Sequence, residues 1–375
     1  VAPPASCSAS CDFVSRFPVH LAQRPLLPRH PRPIVAIGAG SVVRAAHLPA
    51  YRLAGFSVVS VFDLVPATAA ALARDFGIPR VCASLDEAVR SAPPHAVFDL
   101  ATPAEAILAT LKALPEGAAV LIQKPPGLNL ADTRAIMELC RRKRFTAAVN
   151  LQLRYMPAVL AIQDAIRRGE LGEIHDVEVR LTCCTPWRIW KHLFGIPRME
   201  IVYHSIHYVD IVRAFLGDPA GVWAKTVKDP AHLDLASTRT TIAFDYGDVK
   251  RATITTNHAH GFGPKHEESY LKIEGTRGAA KARLGINLGY PHGVPDTLEI
   301  CRLRDGTEPQ WENIPLEGGW IPQAFMGTMA SVMCRADGET DELPTSIEDA
   351  CHTMAVIEAC YESSARGATP IPSVP

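Results

Sequence analysis

At 375 residues the chain is about two and a half times the roughly 150 residues of one ordinary domain, so two domains and a tail are expected. Its 38 basic and 39 acidic residues leave a net charge of −1, which provides no positive field to neutralise phosphates and speaks against nucleic acid as a partner. No uncharged apolar run approaches the ~18 residues needed to cross a bilayer, and the ten cysteines lack C-x-x-C spacing, so neither a membrane partner nor a metal site is expected.

Residues 1–33 hold seven prolines and no periodicity, so residues 1–32 read as a disordered extension. Proline and polar breaks deny them the apolar stretch of a signal peptide, and a cytoplasmic location with reduced thiols is expected. From Pro33 short apolar runs alternate with helical stretches, the pattern of a parallel sheet with crossover helices. The strands are Ile34–Ile37, Ser57–Phe62, Ala96–Leu100, Ala118–Ile122 and Thr146–Val149; the helices are Val42–Leu53, Pro66–Phe76, Leu85–Arg90, Pro103–Leu114 and Leu130–Arg144.

Past residue 150 the order changes. A helix Tyr155–Arg168, a strand Ile174–Thr182 and a helix Met199–Leu216 are followed by Val222–Val227, Ser237–Asp245, Val249–His260, Ser269–Glu274, Ala280–Leu284 and Thr297–Leu303. Consecutive strands without helices between them imply a mainly antiparallel sheet and a second domain, residues 151–375, closed by helices near Ile321–Cys334 and at Ser346–Ser364.

The first strand runs into Gly38-Ala39-Gly40-Ser41-Val42-Val43 and a helix, the setting of a dinucleotide turn. The first glycine permits the tight turn, and the second lets the backbone approach a pyrophosphate at the helix N-terminus. Val43 departs from the pattern, because a small residue there normally relieves helix–sheet crowding. Asp63 closes the second strand, where a carboxylate can accept both ribose hydroxyls; it would repel a 2′-phosphate, and Leu64 supplies no cation, so NAD is favoured over NADP. A flavodoxin-like or purely structural α/β domain is the other reading of this segment.

Lys124 follows the fourth strand, Ala118–Ile122, at the sheet edge where doubly wound folds bind ligands, and Pro125 keeps it out of the helical region. Beside a nicotinamide it could bond a substrate hydroxyl; the alternative is a solvated loop lysine. In the helix Met199–Leu216 the i, i+4, i+7 spacing sets Tyr203, His207 and Asp210 on one face. His207 could take an alcohol proton with Asp210 orienting its ring, or be a structural histidine capped by that carboxylate. The segment Thr185-Pro186-Trp187-Arg188-Ile189-Trp190-Lys191-His192 could line a pocket, its rings facing sugar carbons and its cations facing hydroxyls, or could serve packing. His204, Arg154 and His258 are further substrate-side candidates.

Together the Gly-Ala-Gly turn, Asp63, Thr102-Pro103, Gln123-Lys124-Pro125, Asn150–Tyr155, His207-x-x-Asp210 and Glu274–Gly278 resemble the glucose–fructose oxidoreductase / inositol dehydrogenase / MocA family over residues 33–368. The resemblance implies a Rossmann domain at 33–150, an α+β domain with an open, mostly antiparallel sheet, and NAD(P)-linked hydride transfer at a secondary alcohol or ketone of a sugar, cyclitol or sugar acid. It also implies a homodimer or homotetramer formed through the sheet. Lys124 matches the lysine of the family's Glu-Lys-Pro motif and His207 the histidine of Asp-x-x-x-His; Gln123 and Tyr203 replace the two acids.

The expected catalytic set is Lys124, His207 and Tyr203. The expected cofactor contacts are Gly38, Gly40, Ser41, Val42, Asp63, Thr102, Pro103, Gln123 and Lys124, and the expected substrate contacts Arg154, Trp187, Arg188 and His204. The two replaced acids keep a second reading open, a non-catalytic NAD-binding sensor of the same fold.

Overall fold

The computed structural model describes residues 20–290 and 292–372, apart from the side chain of His192; residues 1–19 of the expected extension lie outside it. Five parallel strands, β1 (Ile34–Ile37), β2 (Val58–Phe62), β3 (Val97–Leu100), β4 (Ala119–Ile122) and β5 (Thr146–Val149), form a sheet in the order β2-β1-β3-β4-β5. Val81 adds a one-residue parallel bridge outside β2, with Cys82 N–H donating to the Val61 carbonyl at 2.9 Å. The five strands alone run in the 2-1-3-4-5 order shared with flavodoxin-like sheets; counting that bridge as a strand gives the 3-2-1-4-5-6 order of a dinucleotide-binding sheet. β1, β3 and β4 are buried throughout, as strands covered on both faces must be.

The crossover helices are α1 (Leu48–Ala54), α2 (Pro66–Phe76), α3 (Leu85–Arg90), α4 (Ala104–Ala113) and α5 (Leu130–Arg142). The helix after the glycine turn widens into a π-helical turn over Val43–His47 before α1. The widening begins at buried Val43, the bulky residue standing where a small one would permit close approach. Within that turn His47 Nδ1 lies 2.8 Å from Asp99 Oδ2, and its Nε2 lies 3.2 Å from the Asn150 amide, which accepts from Thr328 at 2.8 Å.

The second sheet takes the order β13-β12-β11-β10-β6-β9-β8-β7, every neighbour antiparallel except β6 with β9. Its strands are β6 (Ile174–Thr182), β7 (Gly221–Val227), β8 (Arg239–Asp245), β9 (Arg251–Asn257), β10 (Glu268–Gly275), β11 (Gly278–Arg283), β12 (Thr297–Arg302) and β13 (Trp311–Asn313). Alternation puts Val177, Val179, Leu181, Leu271 and Ile273 in the core. The opposite face carries charged pairs such as Arg251–Asp176 and Arg180–Glu268. The short, exposed β13 has no hydrophobic alternation and was not expected; Val249, expected to open a strand, is 81% exposed and lies ahead of β9. The helices α6 (Pro157–Arg167), α7 (Ile206–Leu216), α8 (Gln323–Ala336) and α9 (Ile347–Arg366) complete the chain.

One expectation is corrected by packing. Residues 20–32 do not belong to a disordered extension: Leu21 is buried, Ala22 N–H donates to Asp164, Gln23 pairs with the backbone of Pro315 and Glu317, and Arg32 donates to Asp337. Prolines spaced through these residues stop helix and strand but leave an extended strap able to pack. The closing helix α8, which follows the second sheet in the chain, also packs against the first domain. Phe325, Met329 and Met333 join one core with Ile34, Ala36 and Val43 of the first.

Candidate active site

Gly38 follows β1 with φ +106°, where a Cβ would lie 2.4 Å from the Ala101 carbonyl oxygen, so only glycine fits. β1 and β3 part here, at the switch point of the sheet. A Cβ on Gly40 would meet nothing within 4 Å, which leaves open space over the turn. Asp63 accepts from Ala39 N–H at 2.7 Å and from Val65 N–H at 2.8 Å, so the carboxylate fastens the turn while lone pairs remain for a ribose. Thr102 Oγ1 is buried without a partner among the described residues. An open glycine cradle, a carboxylate at the end of β2 and an orphaned hydroxyl at the end of β3 fit a dinucleotide. Ser41 and Pro103 are exposed at the rim, and Val42 is half-buried.

Lys124 leaves β4 through a cis peptide to Pro125. Its Nζ donates to the carbonyl of Tyr203 at 2.6 Å, and the Gln123 amide oxygen accepts the Lys124 N–H at 3.0 Å. Burial pushes the ammonium down to about 8. Tyr203 lies in a π-helical turn, Ile201–Ser205, that leads into α7; burial and then Glu105 hold its phenol above the ordinary range. One turn on, His207 is buried, Nδ1 has no partner among the described residues, and burial followed by Lys124 keeps its pKa well below the usual value. The imidazole is therefore neutral near pH 7 and able to accept a proton.

A second set backs this pair. Glu200, fully buried, accepts from Ser205 Oγ at 2.7 Å, from Thr256 Oγ1 at 2.9 Å and from Thr240 Oγ1, and lies 3.3 Å from His258 Nε2. Although burial opposes it, contact with Cys183 and Glu200 raises the His258 pKa to about 9. The His258 ring meets His204 at 4.6 Å and Trp187 at 5.5 Å, and Trp187 meets His204 at 5.1 Å. Burial, then His258, Lys124 and His207, drive the His204 pKa well below its ordinary value.

The structure thus brings Lys124, Tyr203, His204, His207, Trp187 and His258 together. Arg188 is exposed on the surface of the 187–193 segment. Arg154 is placed elsewhere: it forks onto Asp210 at 2.7 and 2.6 Å, and donates to Asp349 and to the Pro344 carbonyl. Its donors are taken by protein acceptors, so the substrate contact expected of it is corrected to a buried structural ion pair. The same fork removes Asp210 from His207, whose ring is instead met edge-on by Trp320 at 5.6 Å. Sequence spacing missed Trp320, since only the tertiary fold returns the Gly318-Gly319-Trp320 turn to α7.

The chain matches the NAD-binding Rossmann fold of the oxidoreductase family over residues 33–151 and that family's C-terminal alpha/beta domain over residues 163–372. It belongs to the Gfo/Idh/MocA oxidoreductase family. A D-apiose dehydrogenase of Paraburkholderia graminis is 28% identical over 354 residues, spanning 89% of this chain and 88% of that protein. The inositol 2-dehydrogenase of Rhizobium meliloti is 24% identical over 257 residues, 66% of this chain and 74% of that one. Among solved structures, an oxidoreductase from Agrobacterium radiobacter in complex with NAD+, L-tartaric acid and magnesium superposes with a TM-score of 0.74 at 20% identity, covering 90% and 98% of the two chains. Within this Gfo/Idh/MocA chain Gln123 and Tyr203 sit directly at Lys124, one through its side-chain oxygen and the other through its backbone carbonyl. Among the described residues no cluster of three or more His, Cys, Asp or Glu is disposed to hold a metal ion, and no helix is long and apolar enough to cross a membrane.

Proposed function

We propose that this NAD-binding oxidoreductase oxidises a secondary alcohol of a sugar, cyclitol or sugar acid, or reduces the matching ketone, with Lys124, His207 and Tyr203 as its proton-handling set. The observation that carries the reading is the buried Lys124–His207 pair next to the glycine cradle, one group with a pKa near 8 and the other neutral. NAD, when bound, supplies the ring that accepts or returns hydride. Gly38, Gly40, Ser41 and Val42 would hold its pyrophosphate, Asp63 its ribose, and Thr102, Pro103, Gln123 and Lys124 its nicotinamide half.

His207 accepts the hydroxyl proton as the substrate C–H bond breaks, and Lys124 donates a hydrogen bond to the same oxygen. Tyr203 keeps its phenolic proton and can donate or relay it. Trp187 and His204 face the substrate, with Arg188 at the rim. The relatives' named substrates, D-apiose and inositol, support the polyol class. Residues 33–150 serve as the nucleotide unit and most of 151–375 as the substrate and assembly unit. A cytoplasmic homodimer or homotetramer built through the second sheet is part of the proposal, supported by the exposed Trp223 on β7 and Trp311 on β13.

The test is a panel of polyols, sugars and sugar acids read by NADH absorbance, beside thermal shifts with NAD and NADP. Turnover of at least one polyhydroxylated alcohol with NAD is expected; NAD stabilisation without turnover across the panel contradicts the enzymatic reading.

A further inference from the structure

Glu200 and His258 form a buried charged pair that the proton-handling set does not use. Glu200, at the entry to the π-helical turn that carries Tyr203 and His204, has its carboxylate filled by the hydroxyls of Ser205, Thr240 and Thr256. His258, just past β9 and 3% exposed, turns Nε2 towards Glu200 Oε1 at 3.3 Å, an ion-pair contact rather than a hydrogen bond. Its Nδ1 meets Thr185 Oγ1 at 3.0 Å, and its backbone carbonyl accepts the Thr185 N–H at 3.0 Å. One ring therefore ties two segments together: the turn into α7 through Glu200, and the start of the 185–193 segment through Thr185.

The same ring touches the two side chains proposed to face the substrate. Its centroid lies 4.6 Å from that of His204, with the planes at 61°, and 5.5 Å from that of Trp187, at 57°. Trp187 and His204 meet each other edge-on at 5.1 Å, which closes a triangle of three rings. Against the penalty of burial, Cys183 and Glu200 hold the His258 pKa up to about 9, so the ring is charged near pH 7. A cation set against aromatic faces is attracted by their electron density, and the attraction grows where water is excluded. After burial, that charge is the next cause that keeps His204 neutral, ahead of Lys124 and His207. No hydrogen bond among the described residues ends on the His204 ring, so among them these ring contacts set its orientation.

We infer that His258, braced by Glu200, is the positioning residue of the substrate side: it fixes His204 and Trp187 against each other as a rigid aromatic corner that orients the substrate. His258 is too buried to touch the substrate and acts through the two rings. The role rests on the oxidoreductase reading of the site. The titratable groups that face the pair come from three elements. Cys183 follows β6, His204 and Tyr208 lie on the turn into α7 and on α7 itself, and Cys360 and Tyr361 of α9 act on Glu200. β8 and β9 bring the uncharged Thr240 and Thr256.

The test uses NAD and the panel above, D-apiose, myo-inositol, D-glucose and D-gluconate included, and carries the compound of highest kcat/KM through the variants. Glu200→Gln combined with His258→Gln removes both charges together, so that neither is left buried alone. KM should rise at least about tenfold and kcat fall by less than about threefold, with the NAD Kd kept within about twofold. As pH rises through about 9 His258 loses its proton, so the parent's KM should climb there while that of the double variant stays level. Thr185→Val should raise KM by about threefold or more and Thr185→Ser should restore it, a second measurement should the double variant fail to fold. The parent's KM and pH profile in the folded double variant, equal KM values for Thr185→Val and Thr185→Ser, or kcat, KM and NAD Kd worsening in step would overturn the positioning role. Turnover by the parent in those cases leaves the oxidoreductase reading standing; a parent inactive across the panel overturns that reading and the positioning role with it.

Discussion

Lys124 bonds the Tyr203 carbonyl, one helical turn before His207, yet the two groups are tuned to different ranges: burial holds the lysine to about 8 and the histidine well below its ordinary value. Above pH 8 Lys124 becomes neutral and can share the acceptance of a proton, whereas His207 is already neutral. For oxidation kcat/KM should rise through a single limb near pH 8, with no histidine limb between pH 6.5 and 8, and Lys124→Ala should remove the limb along with about 100-fold of the rate. Asp63 is the other decisive side chain. Asp63→Ser combined with Leu64→Arg, the latter at a position 88% exposed, should shift preference towards NADP by at least about tenfold, read as the ratio of Kd values. Gly38, Asp63, Lys124 and His207 were legible because each sits at a fixed offset from a strand end or within a helical repeat. Arg154 and Asp210 were misread for a physical reason: spacing shows which face a residue occupies, not which distant partner takes its hydrogen bonds. Trp320 lies over 100 residues from His207 in the sequence, and no local pattern joins them.

The π-helical turn at Ile201–Ser205 and the helix it opens depend on Glu200, which ties α7 to β8 and β9 through Thr240 and Thr256 and to His258. The two members of this pair shift in opposite directions. With its pKa raised to about 9, His258 contributes stability that is complete below about 6.5 and is lost as pH rises through about 9. Glu200, lowered, contributes above the ordinary carboxylate range and loses that contribution as pH falls through its depressed value. Glu200→Gln should cost about 3–5 kcal/mol in urea unfolding at pH 7 and flatten the alkaline decline, because a buried cation is left without its anion. An unchanged pH profile of stability would refute the role given to the pair. Strand and helix positions were largely readable from periodicity, while the π turns were not, since they change hydrogen bonding without changing the apolar pattern. β13 escaped because its three residues are exposed.

At the scale of the whole molecule, the two sheets are fastened by segments distant in sequence. α8 packs against the first sheet through Phe325, Met329 and Met333, and a Cβ on Gly327 of the same helix would lie 2.3 Å from the ring of Tyr155, in the turn that follows β5. The strap from residue 20 crosses α6 and the Pro315–Glu317 segment before reaching the end of α8. Its surface ion pairs are weak contributors: Arg24, paired with Glu317, is 81% exposed. Burial of Leu21 outweighs them, so Leu21→Ala should lower stability by about 2–5 kcal/mol and Arg24→Ala by less than about 1, measured by thermal and urea unfolding. Composition misled here, because proline density marks the absence of regular structure and not the absence of packing.

These fastenings hold Lys124 and His207, the proposed proton-handling pair, beside the dinucleotide cradle. The most direct test of that pair is hydride transfer to NAD from the best substrate of the panel, compared among the parent, Lys124→Ala and His207→Ala proteins with NAD affinity measured alongside. His207→Ala should lose at least about 100-fold in kcat with NAD affinity kept, and Lys124→Ala should lose as much in kcat. Both variants turning over substrate at the parent rate would contradict the assignment.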